Sequence, residues 1–138
     1  MREIEPVFVL DGFALLAYLN SEPGRERIES LLSMSEKSQA RILICIENVG
    51  EVLYIVERQR GFSAAQLTVA LVDSLPIKLL ETSREQVLEV AHIKANHSIS
   101  YADAFVVAAA QRENAVILTG DPEFKAVESL VRVEWLVR

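Results

Sequence analysis

Three short runs of this sequence are apolar at every position: Val7-Phe-Val-Leu10, Ile42-Leu-Ile-Cys-Ile46 and Ala115-Val-Ile-Leu118. A strand with one wet face alternates apolar and polar side chains, so a run without alternation reads as a strand buried on both faces. Helical spacing fills the intervals. Gly12 to Leu19 is rich in Ala and Leu, Pro23-Gly24 interrupts, and Arg25 to Leu32 resumes with Ile28, Leu31 and Leu32 on one side. A long helix is expected from about Glu47 to Arg60, stopped by Gly61, and another from Ser63 to Ser74, ended before Pro76. Ile77 to Leu80 reads as a third strand, Ser83 to Asn96 as a helix opened by Ser83, and Tyr101 to Glu113 as a further helix. Ala115 to Thr119 is the fourth strand and Val131 to Val137 the fifth. Doubly buried strands joined by helices imply an α/β fold, a doubly wound sandwich with a mostly parallel central sheet of about five strands. No repeat or linker divides the 138 residues, which suit a single domain over 1–138.

Charge narrows the function. Acidic side chains outnumber basic ones 20 to 14, a net charge of −6, which argues against holding nucleic acid through a broad basic surface. The single cysteine, Cys45, lies inside an apolar run and reads as a small buried hydrophobe rather than a reactive thiol. Val7 to Leu10 is too short for a signal-peptide core, and no run approaches the ~20 apolar residues of a membrane span, so the chain reads as cytoplasmic, with no membrane partner. Phosphate-binding glycine loops, a nucleophile elbow and a zinc pattern are all missing. His92 and His97 are five apart, about 140° around a helix, which does not suit a shared metal.

In an open parallel sheet, ligands bind in the crevice beyond the carboxyl ends of the strands. Acids collect at those ends: Asp11 after the first strand, Glu47 and Glu51 after the second, Asp121 and Glu123 after the fourth. Asp103 interrupts the otherwise apolar start of the helix from Tyr101. Each aspartate also has a helix-capping explanation. Asp121-Pro122 has the form of a cap with proline at the first helical position, and Ser100-Tyr-Ala-Asp103 fits a loose capping box in which Asp103 reaches back to the Ser100 N–H. Glu51 lies too deep in its helix to cap. On a helical wheel Ile46, Val49, Leu53 and Val56 define a core face, while Glu51 falls on a polar flank with Tyr54 and Arg58, open either to a functional role or to pairing with Arg58. The Leu67, Ala70, Leu71 and Ser74 face reads as core packing, with a dimer contact as the other reading. Close carboxylates repel by up to ~4 kcal/mol per pair at an effective dielectric near 20. Divalent cations answer that repulsion, and an all-oxygen set suits Mg²⁺ or Mn²⁺ rather than zinc.

Val-Leu-Asp11 with Ala14-Leu-Leu16, then Asn48-Val-Gly-Glu51-Val, then Ser100-Tyr-Ala-Asp103-Ala, then Leu118-Thr-Gly-Asp121-Pro-Glu123-Phe124 together resemble the PIN-domain nucleases, most closely the VapC-type toxins of toxin–antitoxin pairs. The resemblance runs over essentially the whole chain. It implies a divalent-metal-dependent endoribonuclease that hydrolyses RNA, using one or two Mg²⁺ or Mn²⁺ ions, with an antitoxin protein as partner and a homodimer as the usual assembly. Carried over, it makes Asp11, Glu51, Asp103 and Asp121 the acidic pocket, with Asp11 and Asp103 the foremost direct metal ligands. Glu123 and Thr119 would stand one step behind the metal. At Gly12-Phe13 the sequence departs from the pattern, since the relatives carry Ser or Thr directly after the first aspartate. Arg25, Arg27, Arg41, Arg58, Arg60 and Lys94 are candidates for a basic rim, against the reading of scattered surface charge.

Two other readings stand beside this one. A phosphoacceptor signalling domain of the receiver kind is also a small doubly wound sandwich with acids at the strand ends. It needs paired acids after the first strand and an aspartate after the third, whereas here Asp11 stands alone and the third strand ends in Glu81. The other is a non-catalytic PIN-like module that binds RNA or protein, consistent with the missing hydroxyl at Gly12-Phe13.

Overall fold

The computed structural model describes residues 5–137. Among the described residues the elements are β1 (Val7–Leu10), α1 (Gly12–Leu19), α2 (Arg25–Glu36), β2 (Arg41–Cys45), α3 (Ile46–Arg60), α4 (Phe62–Ser74), β3 (Lys78–Leu80), α5 (Arg84–Asn96), α6 (Tyr101–Glu113), β4 (Val116–Thr119), a 3-10 helix (Pro122–Val127) and β5 (Arg132–Trp135). All strand pairings are parallel, in the order β3-β2-β1-β4-β5. The doubly wound α/β reading therefore holds, with the sheet parallel throughout. A receiver-like order would place β1 between β2 and β3; here β1 lies between β2 and β4, which removes that alternative.

The unbroken apolar runs divide by parity between the two faces. Phe8, Leu10, Ile42, Ile44 and Leu118 join the core under α1, α2 and α3, while Val9, Leu43, Cys45 and Ile117 join the core under α5 and α6. Each face of the sheet is covered, which is why no strand of this inner set alternates. Cys45 is buried as expected; its thiol donates to the Phe105 carbonyl at 3.6 Å, and burial followed by the charge of Glu47 pushes it up to about 12.

Several boundaries differ from the sequence reading. Ile46, expected in the second strand, opens α3 and is exposed, and β5 stops at Trp135 rather than Val137. The buried face of α3 is Asn48, Val49, Val52 and Val56, with Leu53 only half-buried. Helices α1, α4 and α6 all lie against α3, and the face they define is turned toward Val52. The expectation that Leu67, Ala70, Leu71 and Ser74 pack in the core is overturned, because all four are exposed. α4 packs on α3 alone among the larger element contacts and buries only Ala65 and Val72.

Candidate metal centre

The strand order reverses between β1 and β4, and the crevice at such a switch point is where open parallel sheets bind ligands. Several helix N-termini converge there, each positioned by its own cap. Asp11 follows β1 and caps α1: its Oδ1 accepts from the Ala14 N–H at 2.8 Å. Its Oδ2 accepts from the Thr119 hydroxyl at the end of β4, and Thr119 Oγ1 in turn accepts from the Asp121 N–H at 3.0 Å. Thr119 thus ties the first aspartate to the fourth strand's exit. Asp121 caps the 3-10 helix, its Oδ1 accepting from the Glu123 N–H at 2.9 Å, with Pro122 at the first helical position as the sequence suggests.

At α6 the cap is Ser100, whose hydroxyl accepts from the Asp103 N–H at 3.1 Å. The reciprocal half of the expected capping box is not made among the described hydrogen bonds. The Asp103 side chain instead meets Glu123, while a complete box forms at Ser83 and Gln86. Asp103, Asp121 and Glu123 each offer a carboxylate oxygen, all within 4.8 Å of one another. Glu51 enters from the second turn of α3 and lies against Gly12, where an added Cβ would fall 2.5 Å from Glu51 Oε1. Phe13 fills the space beside Gly120, so that a side chain there would run into its ring.

Burial and mutual repulsion shape the titration of the cluster. Asp11, 1% exposed, is pushed up to about 7 by burial, against the lowering by its bonds from Thr119 and Ala14 and with the charge of Asp121 adding to the rise. Asp103 is raised by burial first, then by its hydrogen bond with Glu123 and the charges of Asp11, Glu123 and Asp121. Glu51 is raised by burial, then by Asp121 and Glu123. The charge of Asp121 bears on all three of these acids, which places them around a single mouth. The donors are all oxygen, and the cluster draws in neither histidine nor cysteine. That set fits a hard divalent cation.

Asn48 carried no assigned role in the sequence, yet it is fully buried and its Nδ2 donates to the Ala102 carbonyl at 3.3 Å, next to Asp103. Its Oδ1 has no hydrogen-bond partner among the described residues. In the sequence Asn48 stands in the Asn48-Val-Gly-Glu51 run that carries the resemblance, but nothing there gives its side chain a task. The basic rim does not assemble as a group: Arg25 bonds Glu29, Arg27 bonds Glu134, Arg60 bonds Asn20, Arg58 lies over the Tyr54 ring, and Arg41 begins β2 at the end opposite the acids. Lys94 sits in the last turn of α5. Arg58 is thus occupied with Tyr54, and neither ion pair among the described residues involves Glu51. His97 Nδ1 lies 3.0 Å from the Ile93 carbonyl and His92 is exposed, so the two do not converge.

The family model described as "PIN domain" matches residues 8–130. No curated protein matches the sequence. Among solved structures, VapBC2 from Rickettsia felis bound to a promoter DNA fragment is similar with a TM-score of 0.73 at 17% identity, covering 95% of this chain and 99% of that one. VapC20 from Mycobacterium tuberculosis, a Sarcin-Ricin loop cleaving toxin, gives 0.69 at 15% identity over 87% of this chain and 94% of that one. DNA-bound VapBC from Salmonella typhimurium gives 0.69 at 19% identity over 94% and 97%.

Proposed function

The chain belongs to the PIN domain family, and from that premise we propose that it is a divalent-metal-dependent endoribonuclease, the toxin of a toxin–antitoxin pair, working in the cytoplasm. The observation that carries the reading is the convergence of Asp103, Asp121 and Glu123 within 4.8 Å at the β1/β4 switch point, flanked by Asp11 and Glu51. Asp11, Glu51, Asp103 and Asp121 are the acids that hold Mg²⁺ or Mn²⁺, as one ion or two, with Glu123 sharing the load beside Asp103. When bound, such an ion makes water nucleophilic at neutral pH and offsets the charge that develops on phosphodiester oxygens.

The chain's own residues prepare that site. Thr119 and the Ala14 N–H keep both Asp11 oxygens from turning away. Burial and clustering leave Asp11 and Asp103 holding protons near neutral pH in the metal-free protein, and a cation must displace them. The carboxylates act as ligands and do not themselves attack. RNA as the substrate is supported by the Sarcin-Ricin loop activity in the name of the VapC20 neighbour, and an antitoxin partner by the VapBC complexes among the similar structures. The exposed apolar face of α4 supports a protein contact, with a second copy of the chain forming a homodimer.

The test is RNA cleavage by the purified protein with Mg²⁺ or Mn²⁺ and its loss in chelator. Asp103→Asn is expected to lower the rate on the order of 10³-fold while circular dichroism stays that of the parent. If Asp103→Asn cleaves as fast as the parent in metal-controlled buffer, the assignment is wrong.

A further inference from the structure

Gly12 is the first residue of α1 and is buried. Its φ is not in the left-handed region; among the described glycines only Gly24 and Gly61 are. An alanine or serine could therefore take the same backbone, and conformational freedom does not account for the glycine. Space does. A Cβ built on residue 12 would lie 2.5 Å from Glu51 Oε1, 3.6 Å from Glu51 Cδ and 3.7 Å from Val52 Cγ2. The volume that a side chain would fill is occupied by the Glu51 carboxylate. No ion pair among the described residues fixes that carboxylate, and a glutamate on the second turn of α3 has several rotamers open to it.

We propose that Gly12 is a positioning residue for Glu51: the missing side chain is a notch that admits the Glu51 carboxylate to the acidic mouth, where the relatives' pattern puts a hydroxyl on residue 12. Glu51 then faces Asp121 and Glu123 from the α3 side, and a methyl group on residue 12 turns it out toward solvent. The far end of a glutamate can move, so the methyl evicts the carboxylate without unfolding the chain, and the eviction changes stability only while Glu51 is there. The consequence for metal rests on the nuclease reading; the notch itself does not.

The experiment is a double-mutant cycle on the full chain with Gly12→Ala, Glu51→Ala and both together. In metal-free urea unfolding, Gly12→Ala should raise the midpoint in the Glu51→Ala background, where the notch is vacant and alanine favours the helix. In the parent the shift should differ in size or sign, because there the methyl must also move the Glu51 carboxylate. The same change in both backgrounds overturns the proposal. By calorimetry with Mn²⁺ alone, Gly12→Ala should weaken binding about tenfold, as Glu51→Ala does, and should add nothing further when Glu51 is already alanine. Losses that simply add in the double variant overturn it too. A parent that takes up no Mn²⁺ sinks the metal reading alone, and the metal-free cycle still decides the role of Gly12.

Discussion

Helices α4 and α6 have 13 residues each and are similarly rich in apolar side chains, but the fold treats them in opposite ways. α6 lies against β1, β2 and β4 on one side and α5 on the other, and every residue from Asp103 to Ala110 is buried. α4 rests on α3 and leaves Phe62, Val69 and Leu71 exposed, with Leu67 73% exposed. The difference is one of neighbours. α6 also carries the buried carboxylate: its apolar body is fixed between sheet and helix, so its first turn can hold Asp103 at the mouth despite the desolvation cost. Among the described residues nothing covers the apolar surface of α4.

The largest effect that separates the two helices is a charge placed inside α6. Val106 is 0% exposed, and Val106→Asp would bury an unpaired carboxylate in the core between the sheet and α5. A loss above about 4 kcal/mol is expected in urea unfolding, a large part of the stability of a domain this size. A stable Val106→Asp protein would mean that α6 can move away from the sheet, and the rigid placement of Asp103 would go with it.

Next in size is the pH dependence that α6 and the strand ends impose. A carboxyl whose folded-state pKa is raised stabilises the fold fully below its unfolded value, and that contribution is lost as pH rises through the folded value. For Asp11 the window runs from 3.8 to about 7, and Asp103 shifts in the same direction. The opposing contribution from ion pairs is small, since both pairs among the described residues are at the surface. Metal-free protein should therefore lose stability between about pH 4 and 7, on the order of 4 kcal/mol for Asp11, where most proteins gain it. Mn²⁺ added at pH 7.5, or roughly there, should restore it by binding the folded state. A thermal midpoint that rises over the same range without metal would contradict the buried acidic mouth.

The same contrast explains what the sequence could and could not disclose. Uninterrupted apolar runs require burial on both faces, so the parallel sheet was legible from Val7 to Leu10, Ile42 to Cys45 and Ala115 to Leu118. Acids directly after those runs were legible as groups at the carboxyl edge, because a strand's end has only one place to go in such a sheet. Gly12 was legible only as a departure, since its meaning is the approach of Glu51 from a helix distant in sequence, and Asn48 was legible only as part of a motif, since its partner Ala102 is distant too. Wheel arithmetic on α3 missed Val52 and Asn48 because periodicity gives the spacing of a face and not its direction. On α4 it found an apolar face and could not say whether anything covered it.

The smallest expected change in folding tests that last point. Leu67→Asp removes an exposed leucine from the middle of α4 and introduces a residue of lower helix propensity, at a cost of roughly 0.5 kcal/mol to the isolated chain. Against Val106→Asp this is close to neutral, and the unfolding midpoints of the two variants measure how differently the helices are packed. The informative readout for Leu67→Asp is assembly. If Leu67, Ala70 and Leu71 are covered by a second copy of the chain, a charge on that face should convert a dimer to a monomer in sedimentation at micromolar concentration, with the cleavage rate per metal-loaded chain kept, because no α4 residue belongs to the acidic cluster among the described residues. A variant that sediments like the parent places the contact between copies elsewhere and leaves the α4 face for a different protein.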